Sequence, residues 1–165
     1  MKKTISIIII IAMCAMLASC GDVKNEVSDT EQLTLIDTMS LEEKVGQILF
    51  VRCVDDEQTD DLMSIKPGGI LMFGRDFEGL TKDEVKEKIQ SYQDKSDIPL
   101  IIGADEEGGT VVRVSSNPNL APEKFKSPQE IYNEGGMDAV VENATEKSEL
   151  LLSLGVNMNL APVAD

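Results

Sequence analysis

The sequence predicts an α/β fold built on a parallel sheet. Three observations lead there. Short apolar runs of strand length recur at residues 48–51, 70–73, from Leu100, and at 157–163. Segments carrying helix-start signals separate them. The runs are also continuous rather than alternating, the pattern of strands covered on both faces in parallel sheets. Two architectures meet these conditions, a (β/α)8 barrel and an open doubly wound sheet. No GxGxxG follows the first run and no GxxxxGK[ST] occurs anywhere, which weakens the nucleotide-binding versions of the open sheet.

Each element has a local reason. Residues 31–39 place Leu33, Leu35 and Ile36 at helical positions. Ser40-Leu41-Glu42-Glu43 matches a capping box, in which serine and glutamate satisfy each other's orphan amides, and predicts a short helix. Residues 48–51 then form the first strand. Asp55 to Asp61 is acidic and predicts the start of a helix running to Ser64, because carboxylates favour helix N-termini. A calcium loop is the sharper alternative for Asp55, Asp56, Asp60 and Asp61. Their spacing fits no EF-hand, which needs a central glycine and a closing glutamate.

Pro67-Gly68-Gly69 punctuates the chain before the second strand at 70–73. Thr81-Lys82-Asp83-Glu84 is a second capping box, and Val85, Ile89 and Tyr92 follow at helical spacing, predicting an inward face. Asp97-Ile98-Pro99 ends that helix before the third strand. Ser127-Pro128-Gln129-Glu130 joins an N-cap, a proline at the first helical position and a returning glutamate. Gly135-Gly136 interrupts. A helix then runs from Met137 to Leu154 with apolar positions at 140, 141, 144, 151 and 154, and Gly155 stands as its C-terminal cap. The fourth strand spans 157–163.

The N-terminus reads as an address. Lys2 and Lys3 form a basic start and residues 5–17 are almost wholly apolar. That core is shorter than the ~20 residues of a membrane-spanning helix, so a secretory signal over residues 1–19 is expected. Leu17-Ala18-Ser19-Cys20 resembles the lipobox of bacterial lipoproteins. On that reading Cys20 becomes the lipidated first residue of an extracytoplasmic, membrane-anchored protein, and residues 20–32 are a polar tether. Cys53 is then the one remaining cysteine besides the lipidated one. It is expected to be a small buried hydrophobe, and with no histidine in the chain it has no partner for a zinc site.

The chain carries 15 basic and 30 acidic residues, net −15. Loss of residues 1–19 removes two lysines and takes the charge to −17. Such a surface argues against nucleic acid, which is bound by neutralising phosphates with Lys and Arg. With no tryptophan and 4% aromatic residues, no wide aromatic sugar platform is visible.

The densest chemistry is Asp105-Glu106-Glu107-Gly108-Gly109-Thr110-Val111-Val112-Arg113, directly after the third strand. Charge placed at a buried strand's end is costly unless a partner or ligand uses it. A carboxylate accepts two hydroxyl hydrogen bonds and a guanidinium donates in a rigid fork. Asp105 and Arg113 on one Gly-Gly turn are therefore candidate ligands for a polyhydroxylated substrate; the alternative is that they pair only with each other at the rim. Glu106 and Glu107 are expected to cap a turn or face water. Arg75, after the second strand, meets either substrate or a neighbouring acid, and the acid is the expectation.

Four segments carry a resemblance to a known family: Ser40–Gln47 by number 40–47, residues 68–75, residues 105–113, and residues 155–165 ending Ala161-Pro162-Val163-Ala164-Asp165. In this order and spacing the chain resembles the N-terminal domain of glycoside hydrolase family 3, in its β-N-acetylhexosaminidase branch, over roughly residues 33–165. The resemblance implies the first half of a TIM-type (β/α)8 barrel, and a retaining exo-glycosidase acting on terminal β-linked N-acetylglucosamine or a related sugar. It implies that Asp105 and Arg113 bind that sugar and that no cofactor or metal is used. The nucleophilic aspartate and the histidine acid/base of that branch are expected beyond Asp165, so this chain is expected to be an incomplete fragment, inactive alone. Thr110 stands where the family often has arginine, and Asp165 matches the acid closing the Ala-Pro-Val segment. A non-catalytic, lipid-anchored glycan-binding or scaffold protein is the alternative.

Overall fold

The structure, a computed structural model, describes residues 35–162. The expected signal, Cys20, the whole tether and Asp165 lie outside the described residues. The chain divides into two units at Thr38 and Met39. Of the first, residues 35–38 form a helical turn in which the Thr38 hydroxyl donates to the Leu35 carbonyl at 2.9 Å. The second holds everything that follows.

Its order is α1 (Leu41–Gln47), β1 (Phe50–Arg52), a 3-10 turn (Asp56–Gln58), α2 (Thr59–Ser64), β2 (Gly69–Met72), α3 (Gly74–Phe77), α4 (Lys82–Gln93), β3 (Ile101–Ala104), α5 (Pro128–Leu154) and β4 (Met158–Asn159). The four strands form one sheet in sequence order, every neighbouring pair parallel. This sequential parallel order is the arrangement of the first half of a (β/α)8 barrel, as expected.

Three helices, α1, α4 and α5, begin where the sequence places their caps. Ser40, Thr81 and Ser127 each accept from the backbone amide three residues on, and Glu43, Glu84 and Glu130 return the bond. Gly155 closes α5 at φ 92°. Gly136 breaks the helical path inside α5, at φ 68° and ψ −157°, where the Gly135-Gly136 pair predicts an interruption.

One sheet face is the core. Ile70, Met72, Ile102 and Ala104 are fully buried and pack with Val85, Ile89 and Tyr92 of α4, Met63 of α2, and Leu151 and Leu154 of α5. Cys53 joins them, with its Sγ 3.1 Å from the Tyr92 hydroxyl, and burial pushes its thiol pKa up. It is the buried hydrophobe the sequence predicts. The opposite face is more open. The Phe50 ring lies across it, so close that a Cβ at Gly69 or Gly103 would fall 2.6 or 2.5 Å from ring carbons. Glycine at both positions lets one ring cross two strands.

Three expectations need adjustment. The first strand begins at Phe50 rather than residue 48, because Ile48 keeps helical backbone as the C-cap of α1 and points outward. The fourth strand is two residues long rather than seven. Asn157 explains its late start: its side-chain amide, not its backbone alone, bonds the third strand, accepting from Ile102 N at 2.8 Å and donating to Leu100 O at 3.1 Å. In α5, Val141 and Ala144 are exposed, and the charged Lys147 takes a buried position between them and Leu151.

α1 lies hard against the loop before β2. A Cβ on Gly68 would sit 2.0 Å from the Gln47 carbonyl oxygen. The variant Gly68→Ala is expected to cost about 3 kcal/mol, the upper part of the overpacking range. Ser127→Ala, which removes only a cap, is expected to cost about 1 kcal/mol. Urea denaturation midpoints rank the two.

Candidate functional site

The site is assembled where β1, β2 and β3 end. In a parallel strand successive side chains point to opposite sides. Past the end of β3 this alternation sends Asp105 to the rim and Glu106 inward. Asp105 and Arg113 meet there, Arg113 Nη2 donating to Asp105 Oδ2 at 3.2 Å. Their side chains keep 23% and 27% of their surface exposed, so the pair is reachable from outside. Asp105 Oδ1 has no protein partner among the described residues, and the Arg113 Nε is buried without an acceptor among them.

The turn between the two residues is tight. Glu107 N and Gly108 N both donate to the Val111 carbonyl at 3.0 Å. Gly108 and Gly109 hold φ values of 102° and 68°, backbone that residues with a Cβ rarely adopt. Gly109 N donates to Phe125 O at 2.8 Å, and a Cβ on Gly108 would strike the Lys126 carbonyl at 2.2 Å. The turn is thus pinned to the segment that leads into α5.

Glu106 is fully buried. Its Oε2 accepts from Arg113 N at 2.8 Å and Val114 N at 2.7 Å, and its Oε1 from Ser115 N at 3.3 Å and from the Ser115 hydroxyl. Ser115 Oγ in turn accepts from Phe125 N at 3.2 Å. From β4, Asn159 brackets the Glu106 backbone: Oδ1 accepts Glu106 N at 3.0 Å and Nδ2 donates to Glu106 O at 3.2 Å. Of the two sequence alternatives for this residue, it caps a turn. Glu107 is half-buried, and its carbonyl accepts from Lys147 Nζ at 2.6 Å. Burial holds the Lys147 pKa below the usual lysine value, while Glu106 and Glu107 oppose that shift.

Two further residues complete the rim, and sequence reasoning missed both. The Phe73 ring, just past β2, receives the guanidinium of Arg113 at 5.7 Å and that of Arg52, the last residue of β1, at 4.9 Å. Such contacts orient a cation over an aromatic face. The available signal was positional: each follows or ends an apolar run. Arg75 meets its neighbouring acid as expected, with Nε 3.6 Å from Asp76 Oδ1, and Nη2 also donates to Cys53 O. A groove lined by Leu41, Val45, Leu49 and Ile65 lies at the other end of the strands and touches none of this chemistry.

Residues 40–165 match the model of the glycosyl hydrolase family 3 N-terminal domain. The chain belongs to that family. A glycoside hydrolase family 3 β-N-acetylglucosaminidase from Paenibacillus sp. has a solved structure that superposes with a TM-score of 0.63 at 25% identity, covering 75% of this chain and 24% of that one. A family 3 glycosyl hydrolase from Mycobacterium smegmatis superposes at 0.64 with 23% identity, over 78% and 37% of the two chains, which bears on the fold. A β-hexosaminidase of Haemophilus influenzae is 23% identical over 112 residues, 68% of this chain and 31% of that protein. This family 3 chain spans about a third of the length of the curated relatives it matches.

In the family 3 chain, Asn159 contributes two hydrogen bonds that hold the strand end carrying Asp105. Asn159→Ala is expected to lower stability by about 2 kcal/mol, two net hydrogen bonds of about 1 kcal/mol each. The urea midpoint measures it.

Proposed function

We propose that this chain is the sugar-gripping part of a retaining exo-β-N-acetylglucosaminidase, in which Asp105 and Arg113 hold the terminal sugar. The observation that carries the reading is the rim pair itself. Its carboxylate and guanidinium are 3.2 Å apart, partly exposed, and fixed at the C-terminal end of β3. Functional groups of (β/α)8 enzymes gather at that end of the strands. Asp105 Oδ1 is left to accept a sugar hydroxyl, and the Arg113 fork donates beside it. Family membership and the names of the relatives support the same class of substrate.

Hydrolysis with retention needs a nucleophilic carboxylate and an acid/base. In the family's hexosaminidase branch these are an aspartate on a later strand and a histidine. No histidine occurs in these 165 residues. The reading therefore assigns binding to this part and bond cleavage to groups outside it, and it uses no metal or cofactor. The polypeptide of these 165 residues is expected to be inactive by itself. The complete gene product is expected to release chromophore from a chromogenic β-N-acetylglucosaminide.

In that complete product, Asp105→Ala and Arg113→Ala are each expected to lower kcat/KM by ten- to a hundredfold, roughly the worth of one or two charged hydrogen bonds. Unchanged kinetics in both variants would remove the sugar-binding role. Binding of N-acetylglucosamine without turnover would favour a glycan-binding protein.

We further propose that Cys20 carries lipid and holds the enzyme on the outer side of a bacterial membrane, with residues 20–32 as tether. The basic start, the short apolar core and Leu17-Ala18-Ser19-Cys20 support it. Two acyl signals are what stable anchoring requires. Cells grown with labelled palmitate are expected to label the wild-type protein and to leave Cys20→Ala unlabelled; equal labelling would refute the anchor.

A further inference from the structure

Arg113 cannot aim itself. It sits in an irregular loop eight residues beyond Asp105, with no regular element to fix its backbone. Its side chain is long and flexible, and ordering such a chain costs up to about 2 kcal/mol. Yet the guanidinium is placed against both Asp105 and the Phe73 ring. Something must hold the loop.

We propose that Glu106 is the positioning residue of the sugar site, acting through Arg113. The inference rests on the reading that Asp105 and Arg113 grip the sugar. Glu106 is completely buried, and its carboxylate meets Arg113 through the backbone amide, not through the exposed guanidinium. Its carboxylate gathers the amides of Arg113, Val114 and Ser115 and the Ser115 hydroxyl onto two oxygens. Three consecutive amides pointing at one carboxylate leave the backbone at Arg113 a single course. The same residue's own backbone is locked to β4 by Asn159 on both sides. Strand geometry therefore passes to the loop through one side chain: β4 fixes Glu106, and Glu106 fixes Arg113. Ser115 Oγ carries the hold on to Phe125 N, and Phe125 O receives Gly109 N, so the glycine turn closes the same circuit.

A buried carboxylate is tolerated where donors satisfy it, and four do so here. Lys147 adds a nearby positive charge, its Nζ held on the adjoining Glu107 carbonyl. Adjacent acids thus divide the work. Asp105 faces the ligand, and Glu106 faces the loop that brings the second ligand-binding group.

The test is a double-mutant cycle on the complete gene product, with N-acetylglucosamine as the probe and its dissociation constant from calorimetry as the readout. Glu106→Ala is expected to weaken binding about tenfold, the loss of one well-placed charged hydrogen bond. In the Arg113→Ala background the same change is expected to have no further effect. Glu106→Gln is expected to stay within about threefold of wild type, because its oxygen still serves Arg113 N and Val114 N, its NH2 donates to Ser115 Oγ, and only the long bond from Ser115 N at 3.3 Å is lost. Should Glu106→Ala fail to fold, Glu106→Asp serves in its place, since it keeps the charge but falls a methylene short of the loop amides. Equal losses for the Glu106 variant with and without Arg113 would overturn the proposal and leave Glu106 merely structural. If Arg113→Ala alone leaves the affinity unchanged, the sugar-grip reading itself fails, and this proposal with it.

Discussion

The architecture of the site depends on one buried carboxylate. Ionised carboxylates are rarely placed at full burial, because desolvation costs several kcal/mol per ion unless hydrogen bonds replace the water. Glu106 meets that condition with three backbone amides and one hydroxyl. The arrangement converts a loop, which conformational entropy would otherwise leave free, into a fixed extension of the sheet. Everything at the rim follows from it: the approach of Arg113 to Asp105, the overlap of its guanidinium with Phe73, and the tight Gly108-Gly109 turn against the segment entering α5.

The sheet supplies the other half of the constraint. Its four parallel strands end together, so residues from three of them share one rim. The asparagines after α5 strengthen the junction that matters most. Asn157, just before the two-residue β4, and Asn159, its last residue, bond β3 and its continuation through their side chains. A side-chain amide carries a donor and an acceptor, the same pair a peptide group offers. It extends pairing where the backbone ladder has ended.

Much of the fold was legible in the sequence, and the legible parts share a property. Ser40, Thr81 and Ser127 announce helix starts because a capping box is closed within four residues. Gly155 and Gly136 announce an end and a break because the required backbone favours glycine. Val85, Ile89 and Tyr92 announce a buried face by their spacing alone. That the charged motif after β3 lies at the rim was legible too; of its two readings, the structure shows the pairing of Asp105 with Arg113. What stayed hidden depends on partners far along the chain. The role of Glu106 needs the path of residues 113–115. The burial of Lys147 needs the Glu107 carbonyl 40 residues earlier. The short β4 needs asparagine side chains that a propensity reading treats as strand residues. Arg52 and Phe73 become site residues only when two strands are laid side by side.

The family match, over residues 40–165, fixes the kinship of the chain, and the proposed role of the rim gives that kinship a physical reading. Its central claim is that a sugar ring is held between Asp105 and Arg113. A crystal structure of the complete gene product with bound N-acetylglucosamine tests this most directly. The account predicts sugar hydroxyls within hydrogen-bonding distance of both the Asp105 carboxylate and the Arg113 guanidinium, with Glu106 still bonded beneath the loop. A sugar seated elsewhere, with the two side chains still paired only to each other, would contradict it.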